Sequence, residues 1–448
     1  MKQRLFFYTL LLLTGFCCQS CLFQEDDLFG EPSAVRSATA VTGVQEILQN
    51  VPNGWKLEYY AGTGYSLGGT TLLMRFADGH VDMAAGTGPS AYKPGTVVGS
   101  LYQVTAEQAT MITFDTCNLL LHNYSTPLDA NMSLEGDYEF IVMSASEDKV
   151  VLQGKRYGNI MEMTPVPKDI PWRIVLDDID VIEQDAGGRA YRLEKDGKLQ
   201  KLFLRNNGTF ATFSAYDVAT GAEEIVSYIY TEKGLRLYTG YDAGGTNVQN
   251  FEWDKKERRF VCVDADASGV VLVEYALDNR TPYETYVGSY EAAVSRVGED
   301  AQVVTENLSV TITPDVAGES YSLKGLVVIE DLKLSLDIPL LYDKTTGELI
   351  LDSQVIGNYN NYYYFACVAG SGNYAHTELN MPARLRGGLV SVVDDQSPLK
   401  LHFVDKLSAT DTSMLVWLYD SEEFSMSSAM GYWYYYTFIS LTKKDPQN

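Results

Sequence analysis

Leu73-Met74-Arg75-Phe76-Ala77-Asp78-Gly79-His80-Val81-Asp82-Met83 reads as two strands joined by a two-residue turn. Side chains alternate into Asp78-Gly79 and out again, and a dipeptide of that type tolerates the positive-φ backbone of a tight hairpin. Further strands are expected at 111–114, 119–122, 138–143, 150–155 and 159–164, each bounded by polar or glycine-containing turns. Beyond them, 202–205 and 210–213 flank Asn206-Asn207-Gly208, and 338–342 and 348–351 flank the five-residue loop Asp343-Lys344-Thr345-Thr346-Gly347. Strands at 399–404, 415–419 and 433–441 follow. Short strands with polar turns and little helix between them give a mostly β, antiparallel architecture of sandwich or barrel-like meanders.

Two helices interrupt this pattern. Val35, Ala38, Val41, Val44, Leu48 and Val51 recur at helical spacing after Pro32, which suits a first turn. Trp172, Val175, Ile179 and Ile182 do the same in a second helix near 170–186, ended by Gly187-Gly188. Each helix precedes a run of strands. The hairpin at Asp78-Gly79 is echoed at Asn206-Asn207-Gly208, Thr105-Ala106-Glu107 by Thr231-Glu232-Lys233-Gly234, and Tyr138-Glu139-Phe140 by Phe251-Glu252-Trp253. A helix-plus-meander duplication accounts for these echoes, and so does the turn chemistry that all hairpins share. The expected units are 32–168, 169–280, which could pack with the first, and 283–448, with Asp278 to Pro282 as the last junction.

Before them, Lys2 and Arg4, an apolar stretch from Leu5 to Phe16, and Ser20 ahead of Cys21 match a lipoprotein signal peptide over 1–20. Phe16 and Cys17 are poorer residues to precede a modified cysteine, so Cys21 is favoured over Cys17 and Cys18. The apolar stretch falls short of the ~20 residues a spanning helix needs. Two or three acyl chains on Cys21 make a stable membrane anchor. Residues 21–31 form an acidic tether in which Glu25, Asp26 and Asp27 resemble the surface-export signal of lipoproteins from gut-type Gram-negative bacteria. That reading favours the outer membrane with the body facing the cell exterior; a solvated spacer is the bland alternative.

The 448 residues carry 34 Lys and Arg against 59 Asp and Glu, a net charge of −25, and loss of the leader removes Lys2 and Arg4 but no acid. Nucleic acid and anionic lipid surfaces require clustered cations, which this chain lacks, so no nucleic-acid partner is expected. Cys117, Cys262 and Cys367 are widely separated and odd in number, which favours buried thiols over a disulfide framework.

Asn53-Gly54-Trp55 with Tyr59-Tyr60, Thr113-Phe114-Asp115-Thr116, Gly136-Asp137-Tyr138-Glu139-Phe140, and Gly154-Lys155 with Gly158-Asn159 occur in order after the first helix. By these segments the chain resembles the domain of unknown function 4302, found in lipoproteins of Sus-like (starch-utilisation-like) loci. The resemblance implies the company of outer-membrane uptake proteins and metallopeptidases. It carries over no catalytic residue.

Chemistry is sparse. The four histidines, His80, His122, His376 and His402, form neither HExxH nor a helical pair, and Cys18-Gln19-Ser20-Cys21 spans the processing site. His122 is expected on a strand as a hydrogen-bonded residue. Asp264-Ala265-Asp266-Ala267-Ser268-Gly269 starts like a calcium loop but has Tyr275 where the twelfth-position Glu belongs, so a hairpin turn is the better reading. Asp177, Asp178 and Asp180 fall on the polar face of the second helix. No cofactor or metal is called for. Paired carboxylates of a glycan-active hydrolase stay open, because acids abound.

Aromatic residues give the sharper expectation. Tyr362, Tyr363 and Tyr364 lie in one cluster; Trp433 and Tyr435 lie in another that runs from Tyr432 to Tyr436. A strand sends alternate residues to opposite faces, so one set of rings enters the core and the other can stack on sugar rings. Core and sheet-surface tyrosines are the competing reading. The expected function is a non-catalytic binding accessory of an uptake locus, with a glycan, peptide or outer-membrane uptake protein as partner. A hydrolase and a partner-binding scaffold are the alternatives.

Overall fold

The computed structural model describes residues 32–86, 92–125, 134–205, 211–297, 302–360, 362–369, 379, 388–406, 414–422, 424 and 427–444. The expected anchor Cys21, the tether residues Glu25, Asp26 and Asp27, Asn206-Asn207-Gly208 and His376 lie outside them. Helix α1 (Ser33–Gln49) leads into β1 (Trp55–Ala61), β2 (Gly68–Ala77), β3 (His80–Ala85), β4 (Val98–Leu101), β5 (Gln103–Ala106), β6 (Thr110–Thr113), α2 (Leu119–Ser125), β7 (Glu139–Ala145), β8 (Val150–Gly154) and β9 (Ile160–Pro165). Neighbours pair antiparallel in sequence order, and β9 returns to pair with β1. The run 98–106 joins the two ends of this sheet: its first half pairs with β3 and its second with β6, on either side of the buried Tyr102. The result is an eight-stranded ring. Its core holds Trp55, Leu57, Tyr59, Leu72, Met74, Phe76 and Phe140, and takes Val44 and Leu48 from α1.

The hairpin at Asp78-Gly79 forms as expected, with Ala77 opposite His80 and φ of 47° and 78° at the two turn residues. Residues 119–122 do not form a strand. Asn118 accepts from the Leu120 amide (3.1 Å) and its own amide donates to His122 Nδ1 (3.1 Å), which starts α2 and places Leu120, Leu121 and Tyr124 on one buried face. Periodicity alone cannot separate a short buried strand from a short buried helix. On α1 the expected apolar stripe is only half used, since Val35 and Ala38 are exposed and Val44 and Leu48 are buried.

Helix α3 (Trp172–Ala186) opens the second unit: β10 (Ala190–Lys195), β11 (Lys198–Arg205), β12 (Thr212–Tyr216), β13 (Glu223–Tyr230), β14 (Gly234–Asp242), β15 (Asn247–Asp254), β16 (Arg259–Cys262) and β17 (Val270–Tyr275). These close into an eight-stranded barrel through β10 and β17. The two units repeat one plan, and every echo in the sequence falls at the same place in each: the second hairpin, the turn before the fifth strand, and the sixth strand. Trp55 at the start of one barrel donates to Leu48 O of its helix (3.0 Å), and Tyr191 at the start of the other donates to Ala186 O (2.6 Å). Asp177, Asp178 and Asp180 face outward as expected. Val175 and Leu176 of α3 pack against Leu73, Ala84 and Val166, so α3 also covers the outer face of the first barrel. That explains why β2 is buried on both faces over most of its length.

The third region contains β18 (Gly288–Val297), β19 (Val303–Pro314), β20 (Ser320–Ile329), β21 (Leu334–Tyr342), β22 (Leu349–Asp352), β23 (Gln354–Tyr359), β24 (Tyr363–Ala369), β25 (Gly388–Gln396), β26 (Leu399–Asp405), β27 (Met414–Tyr419) and β28 (Ala429–Lys443). A ring runs β18-β19-β20-β21-β22-β25-β26-β28 and returns to β18. After Ser353 the chain continues into β23, which pairs with β24, then β27, and rejoins at the first half of β28. The expected loop at 343–347 docks against the second barrel: Ala190 N donates to Thr345 Oγ1 (3.1 Å) and Leu277 N to Thr345 O (2.9 Å).

Candidate functional site

The aromatic residues singled out in the sequence lie on the forked part of the third ring. Tyr362 is 74% exposed at a turn, Tyr363 stands opposite Tyr359, and the Tyr364 ring meets Phe424 edge-on at 6.1 Å. Trp433 is exposed at a bulge in β28, and Tyr435 meets Tyr432 at 80°. Trp417 on β27, which the sequence reading passed over, sits between the clusters and meets Tyr432 at 67°. Tyr434 and Tyr436 turn inward and donate to Val328 O and Leu326 O. Several of the rings thus pack edge-on against one another, Tyr434 and Tyr436 stack in parallel beneath them, and Tyr362, Tyr363 and Trp433 stay exposed.

The segments that carry the family resemblance build a structural node. Asp137 is buried, its carboxylate accepting from the amides of Arg156 (2.7 Å) and Tyr157 (3.2 Å), and its carbonyl accepting from the Tyr59 hydroxyl (3.0 Å). Asn159 Nδ2 donates to Tyr60 O and Gly62 O, and a Cβ at Gly136 would collide with the Tyr59 hydroxyl. Asn53 donates to Pro167 O and Ile170 O and accepts from Trp172 Nε1 (2.7 Å), tying the first barrel to α3. These residues hold loops in place. Similarly, Asp264 accepts from the amides of Gln249 and Asn250 and from Asn250 Nδ2, as a turn residue would. Among the described residues no group of three or more His, Cys, Asp or Glu is placed to hold a metal; Cys117, Cys262 and Cys367 form no disulfide, Cys262 and Cys367 are buried as expected, and Cys117 is exposed instead.

A concave site with both rings and carboxylates lies elsewhere, in the wall of the second barrel. Strands β13 and β14 pair only where Tyr228, Ile229 and Tyr230 meet Leu237, Arg236 and Leu235. Beyond that point residues 224–227 and 238–242 form no ladder with each other and line the two sides of a slot of about 470 Å³. On its other edge β14 bulges, because residues 237–240 stand opposite Gln249 alone, whose Nε2 donates to Leu237 O (3.0 Å) and Tyr238 O (3.1 Å). Such a bulge bends a strand away from its partner. Gly240, a glycine inside a strand pattern, is the one local signal of it.

The first barrel fills one end of the slot. Its turn at Thr63–Tyr65 uses Gly62 and Gly64 at φ of 82° and 64°, and Tyr65 O accepts from Ser227 Oγ (2.7 Å). Tyr65 stacks on Tyr238 at 3.7 Å, while Tyr60 meets Tyr238 edge-on at 4.7 Å. At the far end the Tyr241 hydroxyl donates to Glu224 (2.8 Å), and Lys201 pairs with Asp217 (2.8 Å). Lys201 and the amides of Thr220 and Ala219 pull the Asp217 pKa down to about 2. Burial pushes the Tyr241 hydroxyl up, helped by its bond to Glu224 and by the charges of Glu224, Asp217 and Asp242. Burial likewise raises Tyr238, with the Tyr65 hydroxyl adding to it. The slot thus offers rings, carboxylates and strand edges.

Buried charges lock the turn in place. Arg236 of β14 pairs with Glu58 of β1, with Glu162 at 3.7 Å, and Lys56 pairs with Glu232 at 2.7 Å. Burial raises the Glu58 pKa against the opposing pull of Arg236 and Lys56.

Comparison with known families gives two matches. A model described as a domain of unknown function, DUF4302, matches residues 25–255, and a second domain of unknown function, DUF4987, matches residues 263–417. The first match spans both helix-plus-barrel units but stops before β16 and β17 close the second ring. No curated protein matches the chain. No helix among the described residues is long and apolar enough to cross a membrane.

Proposed function

The chain belongs to the DUF4302 family, and from that premise we propose that it is an outer-membrane lipoprotein anchored at Cys21, facing the cell exterior, that serves a Sus-like uptake system as a non-catalytic binding accessory for glycan or peptide. One observation carries the binding reading: the opened barrel wall at 224–227 and 238–242, where three tyrosines and two carboxylates converge in a slot of about 470 Å³. That is the size and character of a ligand cleft, and it sits at a junction between units where such clefts concentrate. The tether and leader support the location.

Two experiments test it. Cys21→Ala moves the protein from the membrane pellet to the soluble fraction; retention in the pellet refutes the anchor. Equilibrium binding against a panel of neutral oligosaccharides and short peptides finds a ligand that Tyr238→Ala weakens by about tenfold or more. Turnover of a panel member, or binding indifferent to Tyr238, refutes the accessory role at this site. The scaffold alternative draws on the exposed Tyr362, Met430, Tyr432 and Trp433 of the third ring, an aromatic patch suited to a protein partner.

A further inference from the structure

Resting on the slot as the binding site, we infer that its ligand is an extended peptide with basic side chains, added as a strand between β13 and β14. In an antiparallel sheet alternate residues direct their amide and carbonyl groups to opposite edges. Residues 223–227 of β13 are paired to β12 on one edge, so alternate residues among them present backbone groups to the slot. Across from them, residues 238–240 form no ladder with β13 or β15, and of their backbone groups the Tyr238 carbonyl is taken by Gln249 Nε2. Two facing, unpaired strand edges are a template for another strand.

The dimensions agree. Residues 224–227 extend over about 13 Å at roughly 3.3 Å per residue, enough for about four residues of peptide. Side chains of an added strand alternate between faces, where Tyr65, Tyr238 and Tyr241 supply aromatic contact. Charge selects their type. Glu224 and Asp242 line the slot and keep their negative charge while accepting from the Tyr241 hydroxyl and the Gly245 amide, the lining cation Lys201 is neutralised by Asp217, and the chain as a whole carries −25. Lys or Arg side chains gain these carboxylates.

The test uses the full chain and a fluorescein-labelled Lys-Val-Lys-Val-Lys-Val amide, read by anisotropy. The expected result is saturable binding, weakened about tenfold or more when Glu replaces Lys in the probe and when alternate backbone nitrogens of the probe are methylated. The methylated probe needs no change to the protein, so misfolding cannot produce that loss. Glu224→Gln with Asp242→Asn weakens the Lys probe by about the same factor and flattens its salt dependence, with the circular dichroism spectrum unchanged. Equal binding of the methylated probe, or of the Glu probe, overturns the inference. Binding of maltoheptaose or another neutral oligosaccharide that Tyr238→Ala abolishes, with no peptide bound, overturns the peptide class and leaves the slot as the site. Absence of any Tyr238-dependent ligand overturns both.

Discussion

Replacing Arg236 by Met tests whether buried charge holds the two tandem barrels together. The Arg236 side chain is 22% exposed and that of Glu58 15%, so the pair is mostly shielded from solvent. Removing one partner of a fully buried pair costs about 3–5 kcal/mol, because the remaining charge loses its compensation. Here both groups keep some water and Lys56 still acts on Glu58, which reduces the expected loss to about 2 kcal/mol. Methionine retains the apolar stem, so the loss is electrostatic in origin. Guanidinium unfolding followed by tryptophan fluorescence in a Trp417→Phe, Trp433→Phe background, where Trp55, Trp172 and Trp253 remain, reads the two barrels. The pH dependence discriminates further. Burial already raises the folded-state pKa of Glu58, and removing Arg236 raises it more. A group whose pKa is higher folded than unfolded favours the folded state increasingly as pH falls, so the deficit of Arg236→Met shrinks as pH falls from neutral through the raised folded-state pKa of Glu58. Adding Glu58→Gln removes the stranded charge and recovers most of the loss at neutral pH. A deficit below about 0.5 kcal/mol, one independent of pH, or a double variant no better than the single refutes the reasoning.

Three further outcomes follow from the same contacts. Gly69→Ala places a Cβ 2.8 Å from the Tyr60 ring and 2.9 Å from Ile229 Cβ across the barrel junction, and should lower stability by about 1–3 kcal/mol in denaturant unfolding; a neutral result means the junction has slack. Asp217 has its pKa depressed to about 2, so it stabilises the fold above its unfolded value of about 3.9 and ceases to as pH falls through about 2. The stability difference between wild type and Asp217→Asn should therefore hold above pH ~4 and disappear near pH 2; persistence at pH 2 contradicts the Lys201 and amide contacts. Tyr363→Ala and Trp433→Ala, both on exposed parts of the third ring, should leave stability within about 0.5 kcal/mol and slot ligands unaffected; a loss of slot binding would relocate the site.

Much of the local plan was readable in the residues. The Asp78-Gly79 turn, the stripe Trp172, Val175 and Ile182 on α3, and the loop 343–347 all formed where turn chemistry and periodicity placed them. These signals are local, set by neighbours a few residues apart. The stretch 119–122 went the other way because Asn118 caps a helical turn there, a contact that an apolar run does not announce. The aromatic clusters were correctly expected to divide between core and surface, with Tyr434 and Tyr436 turned inward. Their edge-to-face packing was not legible, nor was Trp417 between them.

Sequence by itself determined that this is a chiefly antiparallel β chain with two helices each followed by strands, since alternation, glycine turns and helical spacing survive in any short window; whether the two stretches repeat one plan was left open by turn chemistry that all hairpins share. Tertiary structure alone decided that the meanders close into rings, that α3 serves two barrels at once, and that a wall opens beside Tyr238. Those outcomes depend on partners as remote as Arg236 with Glu58, 178 residues apart, and Ser227 with Tyr65, 162 apart. No periodicity records which distant surfaces meet, because that choice is made by shape and charge once the strands already exist.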